Sequence, residues 1–597
     1  MPRARSVILG LGGYLAHDAN AALLVDGHLV AASQEERFTR IKHDGCYPRL
    51  AIADCLAQAG LAPADVTDVA FAEKPVQSAL FNLTGQPGNA LTRALGRFLP
   101  ERVAGLYTTP ARTQFPAARF HHAWHHLSHV AGAFHTSPFT RAAFLCVDGK
   151  GEDYSASAGV IDHGEIKLLW EQPWENGLGL LYTLVTAHLG FASFGSEYKV
   201  MGLAPYGRPV HVESLLKLVH TDARGGLRLR EPVRFRHTVM TAAVPLVTAA
   251  TGIPARGKND PLTDAHVDLA ASIQKLFEDE VIKMARFLRA DTGEANLIFC
   301  GGCAQNCVAA GRLRALGIFE TLFNSPVGGD MGSGLGAAIL LARDRVAPGE
   351  KLRIAADGFY LGSEPGPAPT AAAPWNVPYT GSLHDFVAAE IASGKTVGWV
   401  RGRMELGARA LGARSIFADP RAPGMQSRLN LAVKFRESFR PFAPAVLAED
   451  VGAWFDSAAE SDYMNYTANL LPARRAALPE NFSAFKLRDR LDFPRSEIQS
   501  VIHVDFSARL QTLRSEVHPD FHSLVAAFKK ITGLPILINT SFNVSGQPIV
   551  RTAAEGWDCF LNTDLDLLVL NDEVFRNPAL KTRDEKLTWL AQFSKSA

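Results

Sequence analysis

Five histidines lie within nine residues in the segment HHAWHHLSH, which spans positions 121–129. Histidines four residues apart share one face of a helix. Two imidazoles at that spacing form half of a recurrent site for a divalent metal ion, although most such histidines are solvated or packed. If the segment is helical, it offers three candidate pairs: His121/His125, His122/His126 and His125/His129.

Two carboxylates could complete such a site with oxygen ligands. Asp148 ends the next predicted strand, and Asp330 lies in a glycine-rich loop, PVGGDMGSGLG at 326–336, that leads into a helix. A loop of this kind also suits phosphate or adenosine. The sequence CGGCAQNC at 300–307 lacks the second ligand cluster that a zinc or iron–sulfur site needs. We therefore interpret its cysteines as packing around a glycine turn that contacts nucleotide.

Cations cluster in the second part of the chain, in a pattern that favours a structured pocket over a solvated charged face. In the run VKFRESFRPFAP at 433–444, cations alternate with aromatic residues and prolines. The alternation places Lys434 and Arg436 toward one pocket, with Arg440 as a further candidate, and that pocket suits a phosphate-rich ligand. The whole cluster comprises Arg401, Arg403, Arg409, Arg414, Lys434, Arg436 and Arg440.

The elements that must position these residues begin with a repeated pattern of strand, glycine turn and strand. Its two copies carry hairpin turns at Asp26-Gly27 and His163-Gly164. We interpret the repeat as a diverged internal duplication, which is typical of actin-like ATPases, with the chance similarity of two β-meanders as the alternative. The predicted strands are 6–11, 21–25, 29–32, 142–147, 158–161 and 166–170.

Composition limits the possible functions. The chain has 597 residues, enough for two to four domains. Its 61 Lys and Arg balance 60 Asp and Glu, which argues against a general nucleic-acid binder. Seven cysteines are too few for a disulfide scaffold, and no stretch approaches the roughly 20 apolar residues of a membrane helix, so we expect a soluble cytoplasmic protein. A Pro/Ala-rich stretch at 362–374 favours two domains, 1–355 and 356–597.

Ten segments, in order along nearly the whole chain, resemble the O-carbamoyltransferase family of nodulation-factor and antibiotic biosynthesis (the NodU/CmcH type, which includes the tobramycin enzyme). The departures are small: Ala408 stands where Pro is usual, and Phe506 where Gly is common. The segments are HDANAALLVDG (17–27), EERFTRIKHD (35–44), EKP (73–75), HHLSH (125–129), VDG (147–149), YKVMGLAPYG (198–207), GGCAQN (301–306), GRMELGARALGARS (402–415), HVDFSARLQ (503–511) and NTSFNVSGQP (539–548).

The resemblance implies an α/β protein of two domains. The N-terminal domain would be actin-like (ASKHA-type) and duplicated, and the C-terminal domain would be YrdC-like. The second domain would make carbamoyl-adenylate from ATP and carbamoyl phosphate, and the first would transfer the carbamoyl group to a hydroxyl of a small molecule. The implied cofactors are ATP, carbamoyl phosphate as co-substrate, Fe2+ or a similar divalent ion, and Mg2+. No nucleic acid or membrane is expected as a partner, and a homodimer is compatible with this interpretation.

Roles for individual residues follow from the resemblance. His125, His129, Asp148 and Asp330 would hold the iron, and His17 would remove the proton from the acceptor hydroxyl because imidazole titrates near neutral pH. Lys42 and the Gly301-Gly302 turn would hold the adenylate. The remaining residues implied to bind nucleotide, carbamoyl or phosphate groups are Asn306, Arg409, Lys434, Arg436, Arg440, Arg509, Asn539 and Asn543.

Three other functions compete with this one. A sugar kinase of the same superfold would leave the second cation cluster unexplained, and a nucleotide-switched scaffold would leave His17, His125 and His129 without a purpose. A transferase that modifies tRNA would need a basic surface that the net charge of +1 does not offer. The acceptor is not evident from the sequence; we expect a secondary metabolite or sugar, bound by the loops at 76–114 and 209–260.

Overall fold

The computed structural model describes residues 5–14, 16–74, 101–174, 177–191, 195–230, 239–345, 350–352, 354–457, 460–482, 485–579 and 581–593. The chain forms two compact units. The first comprises Met1–Glu35 and His43–Ala356, and the second comprises Glu36–Lys42 and Asp357–Ala597. A short segment near the N-terminus, with the single helical turn α1 (Glu36–Thr39), therefore packs with the second unit.

The first unit opens with a five-stranded sheet in the order β3-β2-β1-β4-β5. The first three strands form an antiparallel meander, while β4 is parallel to β1 and β5 is parallel to β4. Asp26 and Gly27 both have positive φ at the hairpin turn, 49° and 83°, as a tight hairpin requires. The strands are β1 (Val7–Gly12), β2 (Asn20–Val25), β3 (His28–Gln34), β4 (Asp68–Phe71) and β5 (Arg119–His122).

A second sheet in this unit repeats the first. Its order is β12-β11-β6-β7-β8, again an antiparallel meander followed by two parallel strands. The turn at His163 and Gly164 has positive φ at both residues, 48° and 92°, like its counterpart in the first sheet. The predicted internal duplication is therefore confirmed. The strands are β6 (Arg141–Gly151), β7 (Tyr154–Asp162), β8 (Glu165–Pro173), β11 (Asn296–Cys300) and β12 (Thr321–Asn324).

Helices and a small hairpin complete the described part of the first unit. The hairpin pairs β9 (Val219–Thr221) with β10 (Leu227–Leu229). The longest helix ends at Gly293, whose φ of 67° allows the left-handed C-cap. The helices are α2 (Arg49–Ala59), α3 (Glu101–Gln114), α4 (His125–His135), α5 (Leu178–His188), α6 (Glu197–Leu203), α7 (Val212–Leu216), α8 (Val239–Thr251), α9 (Asp264–Thr292), α10 (Cys307–Ala315) and α11 (Ser333–Arg343).

Helices α4 and α11 link the two sheets. Helix α11 packs against β1, β2 and α4, and α4 packs in turn against β6 and β11. Glycines make this approach possible, because a Cβ on Gly10 would lie 1.9 Å from the carbonyl oxygen of Gly334, and one on Gly336 would lie 1.8 Å from that of Ser128. The close packing holds the N-terminal ends of both helices, with the residues that precede them, in the same region.

The second unit is built on one mixed sheet of eight strands, in the order β16-β17-β15-β18-β14-β13-β19-β20. Strands β13, β14 and β15 are buried along their whole length, and apolar side chains of the sheet form one core with the helices. The strands are β13 (Val397–Val400), β14 (Arg414–Ala418), β15 (Ala443–Leu447), β16 (Tyr466–Asn469), β17 (Ser507–Leu513), β18 (Ile536–Ser541), β19 (Leu567–Leu570) and β20 (Glu573–Arg576).

Helix α15 of the second unit packs against α12, β15 and β18, while α16 packs against β13 and β19. Among the described residues of the whole chain, no helix is both long enough and apolar enough to cross a membrane. The helices of this unit are α12 (Leu383–Ala392), α13 (Met425–Arg428), α14 (Leu487–Asp492), α15 (Pro519–Thr532), α16 (Ala553–Leu561) and α17 (Arg583–Ala591).

The histidine-rich segment is not one helix, which corrects two of the predicted pairs. His121 and His122 lie in β5, where they pair with Ala70 and Phe71 of β4. The helix begins only at His125. Strand pairing therefore overrides the helical spacing, and neither His121/His125 nor His122/His126 shares a helix face. Only His125/His129 is a helical pair.

Candidate active sites

Four side chains of the first unit converge in the way predicted for a metal site. His125 and His129 face the site from α4, Asp148 from β6, and Asp330 from the turn before α11. The two Nε2 atoms are 2.9 Å apart, and Oδ2 of Asp148 lies 3.2 Å and 3.0 Å from them. Oδ1 of Asp330 lies 3.4 Å from both. Three of the four residues are buried, and Asp330 is nearly so.

These distances fit a bound divalent cation. Nitrogen and oxygen ligands at about 2.0–2.2 Å from one ion lie about 3.0–3.5 Å from each other for ligand angles between about 90° and 110°. The observed separations of 2.9–3.4 Å agree with that range to within about 0.1 Å. Two imidazoles with two carboxylates are a donor set that suits iron, zinc and similar divalent ions.

Electrostatics within this cluster are strong. Burial opposes the charged forms, and the positive charge of His125 adds to that effect at His129, but Asp148 and Asp330 outweigh both and raise the pKa of His129 to about 9. The same carboxylates raise the pKa of His125 well above its ordinary value despite burial. In return, the imidazoles lower the pKa of Asp148 far below the ordinary range although burial raises it. The cluster therefore needs positive charge, from protons or from a metal ion.

The Gly301-Gly302 turn orients Asp148. Its carboxylate Oδ1 accepts hydrogen bonds from the backbone N–H of Gly302 at 3.1 Å and of Gly149 at 2.7 Å, which leaves Oδ2 toward the histidines. Gly301 has a φ of 91°, and a Cβ there would lie 2.2 Å from the carbonyl oxygen of Val147. The predicted adenylate turn thus lies directly beside Asp148, a carboxylate of the predicted metal site, and its contact with nucleotide stays a prediction.

Asn306, predicted to bind nucleotide, caps a helix instead of pointing freely into a site. Its Oδ1 accepts from the N–H of Ala309 at 3.0 Å as the N-cap of α10. Its Nδ2 donates to Oε1 of Gln274 at 2.9 Å. A nucleotide contact from this side chain would have to compete with these bonds.

Glu152 is a site residue that the sequence analysis missed. Its carboxylate accepts from the backbone N–H of His125 at 3.1 Å and 3.2 Å and from that of Lys74 at 3.0 Å. Burial is the main reason that its pKa is raised to about 7. The carboxylate thus caps the first turn of the helix that carries the metal-site histidines. One feature of the sequence could have indicated this role: Glu152 ends the segment DGKGE, which begins with Asp148.

His17 lies beside the cluster of His125, His129, Asp148 and Asp330. Its Nε2 is 3.5 Å from Oδ2 of Asp330, and its Nδ1 is 3.0 Å from Oδ2 of Asp18. The other oxygen of Asp18 lies 3.0 Å from Nδ1 of His43, so one buried carboxylate orients two imidazoles. Partial burial disfavours protonation of His17, but Asp330 and then Asp18 outweigh it and raise its pKa to about 10. The side chain remains 52% exposed, which an acceptor would require.

Lys434 is the centre of the cation cluster in the second unit. It is 3% exposed, and its Nζ donates to the carbonyl oxygen of Ser541 and to Oδ1 of Asn543, both at 2.6 Å. Burial, and then the nearby charges of Arg436 and Arg440, lower its pKa well below the ordinary value. Burial disfavours the charged form of the lysine, so an anion that binds beside Lys434 would stabilise its protonated form.

The backbone that carries Arg436 and Arg440 has a conformation that the sequence pattern did not indicate. The run 433–444 is not extended: Lys434 follows a π-helical turn, Leu429–Val433, and the next residue, Phe435, has a φ of 49°. Arg436 donates to Oδ1 of Asn430 at 2.7 Å and lies over the ring of Phe442. Arg440 lies 3.7 Å from the carboxylate of Glu437. The alternating pattern is therefore not what brings these cations together. The charges of Arg436 and Arg440 nevertheless both lower the pKa of Lys434.

Arg409, Arg509, Asn539 and Asn543 also belong to the second unit. Asn539 donates to the carbonyl oxygen of Ala410 at 3.1 Å, next to Arg409 in sequence, and its buried Oδ1 accepts no hydrogen bond among the described residues. Arg509 donates from Nε to the carbonyl oxygen of Met464 at 2.7 Å. Asn543 is engaged by Lys434. Their predicted phosphate or carbamoyl contacts stay predictions.

Lys42 also belongs to the second unit, because the segment Glu36–Lys42 is part of it. Its positive charge is one of those that lower the pKa of Lys434. Arg40 fastens the segment by donating to the carbonyl oxygens of Pro548 at 2.7 Å and Ile549 at 2.8 Å. Lys42 is thus placed near the cation cluster by the packing of a segment from the far N-terminal part of the chain.

Two family descriptions match most of the chain. A family description for the carbamoyltransferase N-terminus matches residues 7–339, and one for the carbamoyltransferase C-terminus matches residues 388–577. The chain belongs to the carbamoyltransferase family. The resemblance stated from the sequence is confirmed, and the protein is an enzyme of the carbamoyltransferase type.

Two relatives match this chain over most of its length, and a third matches about half of it. An uncharacterized protein of Synechocystis is 38% identical over 98% of this chain and 99% of its own. Nodulation protein NolNO of Sinorhizobium fredii is 36% identical over 96% and 81%. The 3'-hydroxymethylcephem-O-carbamoyltransferase of Amycolatopsis lactamdurans is 31% identical over 49% and 50%. Full-length HypF in its phosphate- and nucleotide-bound form has a TM-score of only 0.31 and 14% identity over 58% of this chain and 47% of its own, which supports no conclusion.

Proposed function

We propose that this carbamoyltransferase is an ATP-dependent O-carbamoyltransferase that works in two steps, one in each unit. The observation that carries the proposal is the presence of two separate sites, a carboxylate–imidazole cluster in the first unit and a buried cation cluster in the second. The duplicated sheets support an actin-like first unit, and we assign the mixed sheet of the second unit to a YrdC-like domain. We also propose a cytoplasmic location, because seven cysteines are too few for a disulfide scaffold.

The second unit would make carbamoyl-adenylate. Carbamoyl phosphate, ATP and water would give carbamoyl-adenylate, phosphate and pyrophosphate, so that a poorly reactive carbamoyl group gains AMP as a leaving group. Lys434 and the arginines around it would offset the charge that develops on the phosphates. The amide of Asn539 presents a buried oxygen without a hydrogen-bond partner among the described residues, which suits the amide N–H of a carbamoyl group.

The first unit would transfer the carbamoyl group to the acceptor. His17 would take the proton from the attacking hydroxyl in its unprotonated form, which its raised pKa makes the minor form near neutral pH until a cation at the cluster offsets the charge of Asp330. The carboxylate of Asp18 would hold the imidazole through Nδ1. The acceptor oxygen would then form the new C–O bond as the bond to AMP breaks. The Gly301-Gly302 turn would bind the adenylate in the first unit, and Lys42 would bind it in the second.

His125, His129, Asp148 and Asp330 would hold Fe2+ or a similar divalent ion, while Mg2+ would be the partner of ATP. An ion bound there would supply a Lewis-acid centre for a phosphate oxygen and positive charge that compensates the two carboxylates. We propose that the acceptor is a small hydroxylated natural product or sugar; the cephem relative is named for a hydroxymethyl acceptor. The loops predicted to bind it, 76–114 and 209–260, lie partly outside the described residues.

The test uses the full-length protein with ATP and carbamoyl phosphate and without an acceptor. We expect pyrophosphate release, and AMP release only when an acceptor hydroxyl is added. Lys434→Ala and Arg440→Ala should abolish pyrophosphate release, whereas Lys529→Ala, which removes a surface ion pair to Asp450 of the same unit, should not. Formation of ADP instead would favour the sugar kinase, and no turnover of ATP would favour the scaffold.

A further inference from the structure

Asn20 joins the two parts of the first unit that carry His17 and Asp330. It begins β2 and is 1% exposed. Its Nδ2 donates two hydrogen bonds, to the carbonyl oxygen of Asp18 at 2.9 Å and to that of Asp330 at 2.8 Å. Its Oδ1 accepts from the backbone N–H of Gly334 at 3.0 Å, in the first turn of α11. Both N–H hydrogens and the oxygen of the amide are therefore engaged, and together they join segments about 310 residues apart in sequence.

The surroundings of this amide are built for it. A Cβ on Gly334 would lie 2.6 Å from Oδ1 of Asn20, and one on Gly12 would lie 3.0 Å from its Nδ2. Side chains at those two positions would displace the amide, so glycines on both flanking segments leave the space that it occupies. Nothing in the chemistry already assigned to His17 or to the metal ligands requires this arrangement.

Only an asparagine satisfies all three partners. Two carbonyl oxygens need two N–H donors, and the N–H of Gly334 needs an acceptor at the same distance from the backbone. An aspartate in this place would keep the bond to Gly334, which lies at a helix N-terminus and tolerates negative charge. Its second oxygen, however, would face two carbonyl oxygens at less than 3 Å. A serine would be too short to reach both sides.

We propose that Asn20 is a positioning residue that sets the separation between His17 and the metal-site carboxylate of Asp330. Asp330 is held through its own backbone carbonyl, and His17 through the carbonyl of the next residue, Asp18. The 3.5 Å contact between Nε2 of His17 and Oδ2 of Asp330 depends on both bonds. For His17 as the base the inference depends on the proposed function, whereas for the metal site it does not.

The experiment compares Asn20→Asp with the wild-type protein in three measurements: the affinity for Co2+ by chelator competition, the rate of acceptor carbamoylation, and the rate of pyrophosphate release. Residues that orient metal ligands are worth about 10–100-fold in metal affinity or activity. We expect Asn20→Asp to weaken Co2+ binding and to slow carbamoylation by that factor. Pyrophosphate release, assigned to the second unit, should be unchanged.

Asn577→Asp is the matched control for loss of stability. Asn577 also fastens backbone with its amide, by donating to the carbonyl oxygens of Phe560, Thr563 and Leu565 at 2.8–3.2 Å, but it lies in the second unit. It should lower the melting temperature and leave Co2+ affinity as in the wild type. If Asn20→Asp does not fold, Asn20→Ser replaces it with the same expectations.

Wild-type Co2+ affinity in the Asn20 variant would overturn the inference even if the melting temperature fell, because the amide would then be merely structural. Weakened Co2+ binding with unchanged carbamoylation would overturn the link to His17. If the wild-type enzyme releases no pyrophosphate from ATP and carbamoyl phosphate, the proposed function fails, and the Co2+ comparison still decides whether Asn20 positions the metal site.

Discussion

A divalent ion that binds in the cluster of the first unit must displace one or two protons. In the metal-free protein, the carboxylates of Asp148 and Asp330 raise the pKa of His129 to about 9, against burial and the charge of His125, and they raise that of His125 well above its ordinary value. At neutral pH the pair therefore holds one or two protons more than two neutral imidazoles would, and the two Nε2 atoms are 2.9 Å apart. A metal ion binds only to the unprotonated nitrogens.

The size of the effect follows from the number of protons. Each proton released makes the apparent metal affinity tenfold tighter per unit of pH, about 1.4 kcal/mol. Because the pKa of His129 is raised to about 9, the affinity should tighten by about 10–100-fold between about pH 7.5 and about pH 8.5. Imidazoles with an ordinary pKa of about 6.5 would already be neutral in that interval, and the affinity would be almost constant.

Chelator competition with Co2+, corrected for the titration of the chelator, measures this slope directly. His121→Ala is the control. His121 lies in β5, is held by Asp68 of β4, and should contribute nothing to the pH dependence of Co2+ affinity. An affinity that does not change across this interval would show that the carboxylates do not hold protons on the imidazoles, and would refute the electrostatic description of the site.

Three further predictions concern single substitutions. His17→Asn should slow acceptor carbamoylation by about 10²–10⁴-fold, as expected for loss of a general base, while pyrophosphate release and melting temperature stay unchanged; normal carbamoylation would end the catalytic role. His125→Ala should lose the metal ion by elemental analysis of the purified protein, whereas His121→Ala should retain it. Arg40→Ala should lower the free energy of unfolding by about 2–3 kcal/mol in urea because it loses two bonds to carbonyl oxygens and an ion pair, and Arg488→Ala, with a side chain 90% exposed, should not.

Local patterns in the sequence were sufficient to predict the antiparallel meander of each sheet in the first unit, but not the parallel strands β4, β5 and β12. The turns at Asp26-Gly27 and His163-Gly164 are short-range features, and the strands around them lie where they were predicted, although β7 (Tyr154–Asp162) is longer than the predicted 158–161. The helical spacing of the histidines was misleading because β5 pairs with β4, a strand about 50 residues earlier. Periodicity within one segment contains no information about such a partner.

The metal cluster combines both kinds of information. The helical spacing suggested His125 and His129, and the family resemblance singled them out with Asp148 and Asp330; the structure brings all four together. Residues that fasten the cluster were not predicted, because Glu152 and Asn20 act on backbone groups that only the folded chain brings near them.

The second unit shows why the division at residue 355 was incomplete and what this means for experiments. Glu36–Lys42 packs with that unit, and Arg40 and Arg37 donate to carbonyl oxygens of Pro548 and Gly407 in it. A fragment that starts near residue 357 would leave these carbonyls without their donors and would lack the charge of Lys42. Loss of pyrophosphate release in such a fragment would therefore not argue against adenylation in the second unit, and only substitutions in the full-length chain can assign the step.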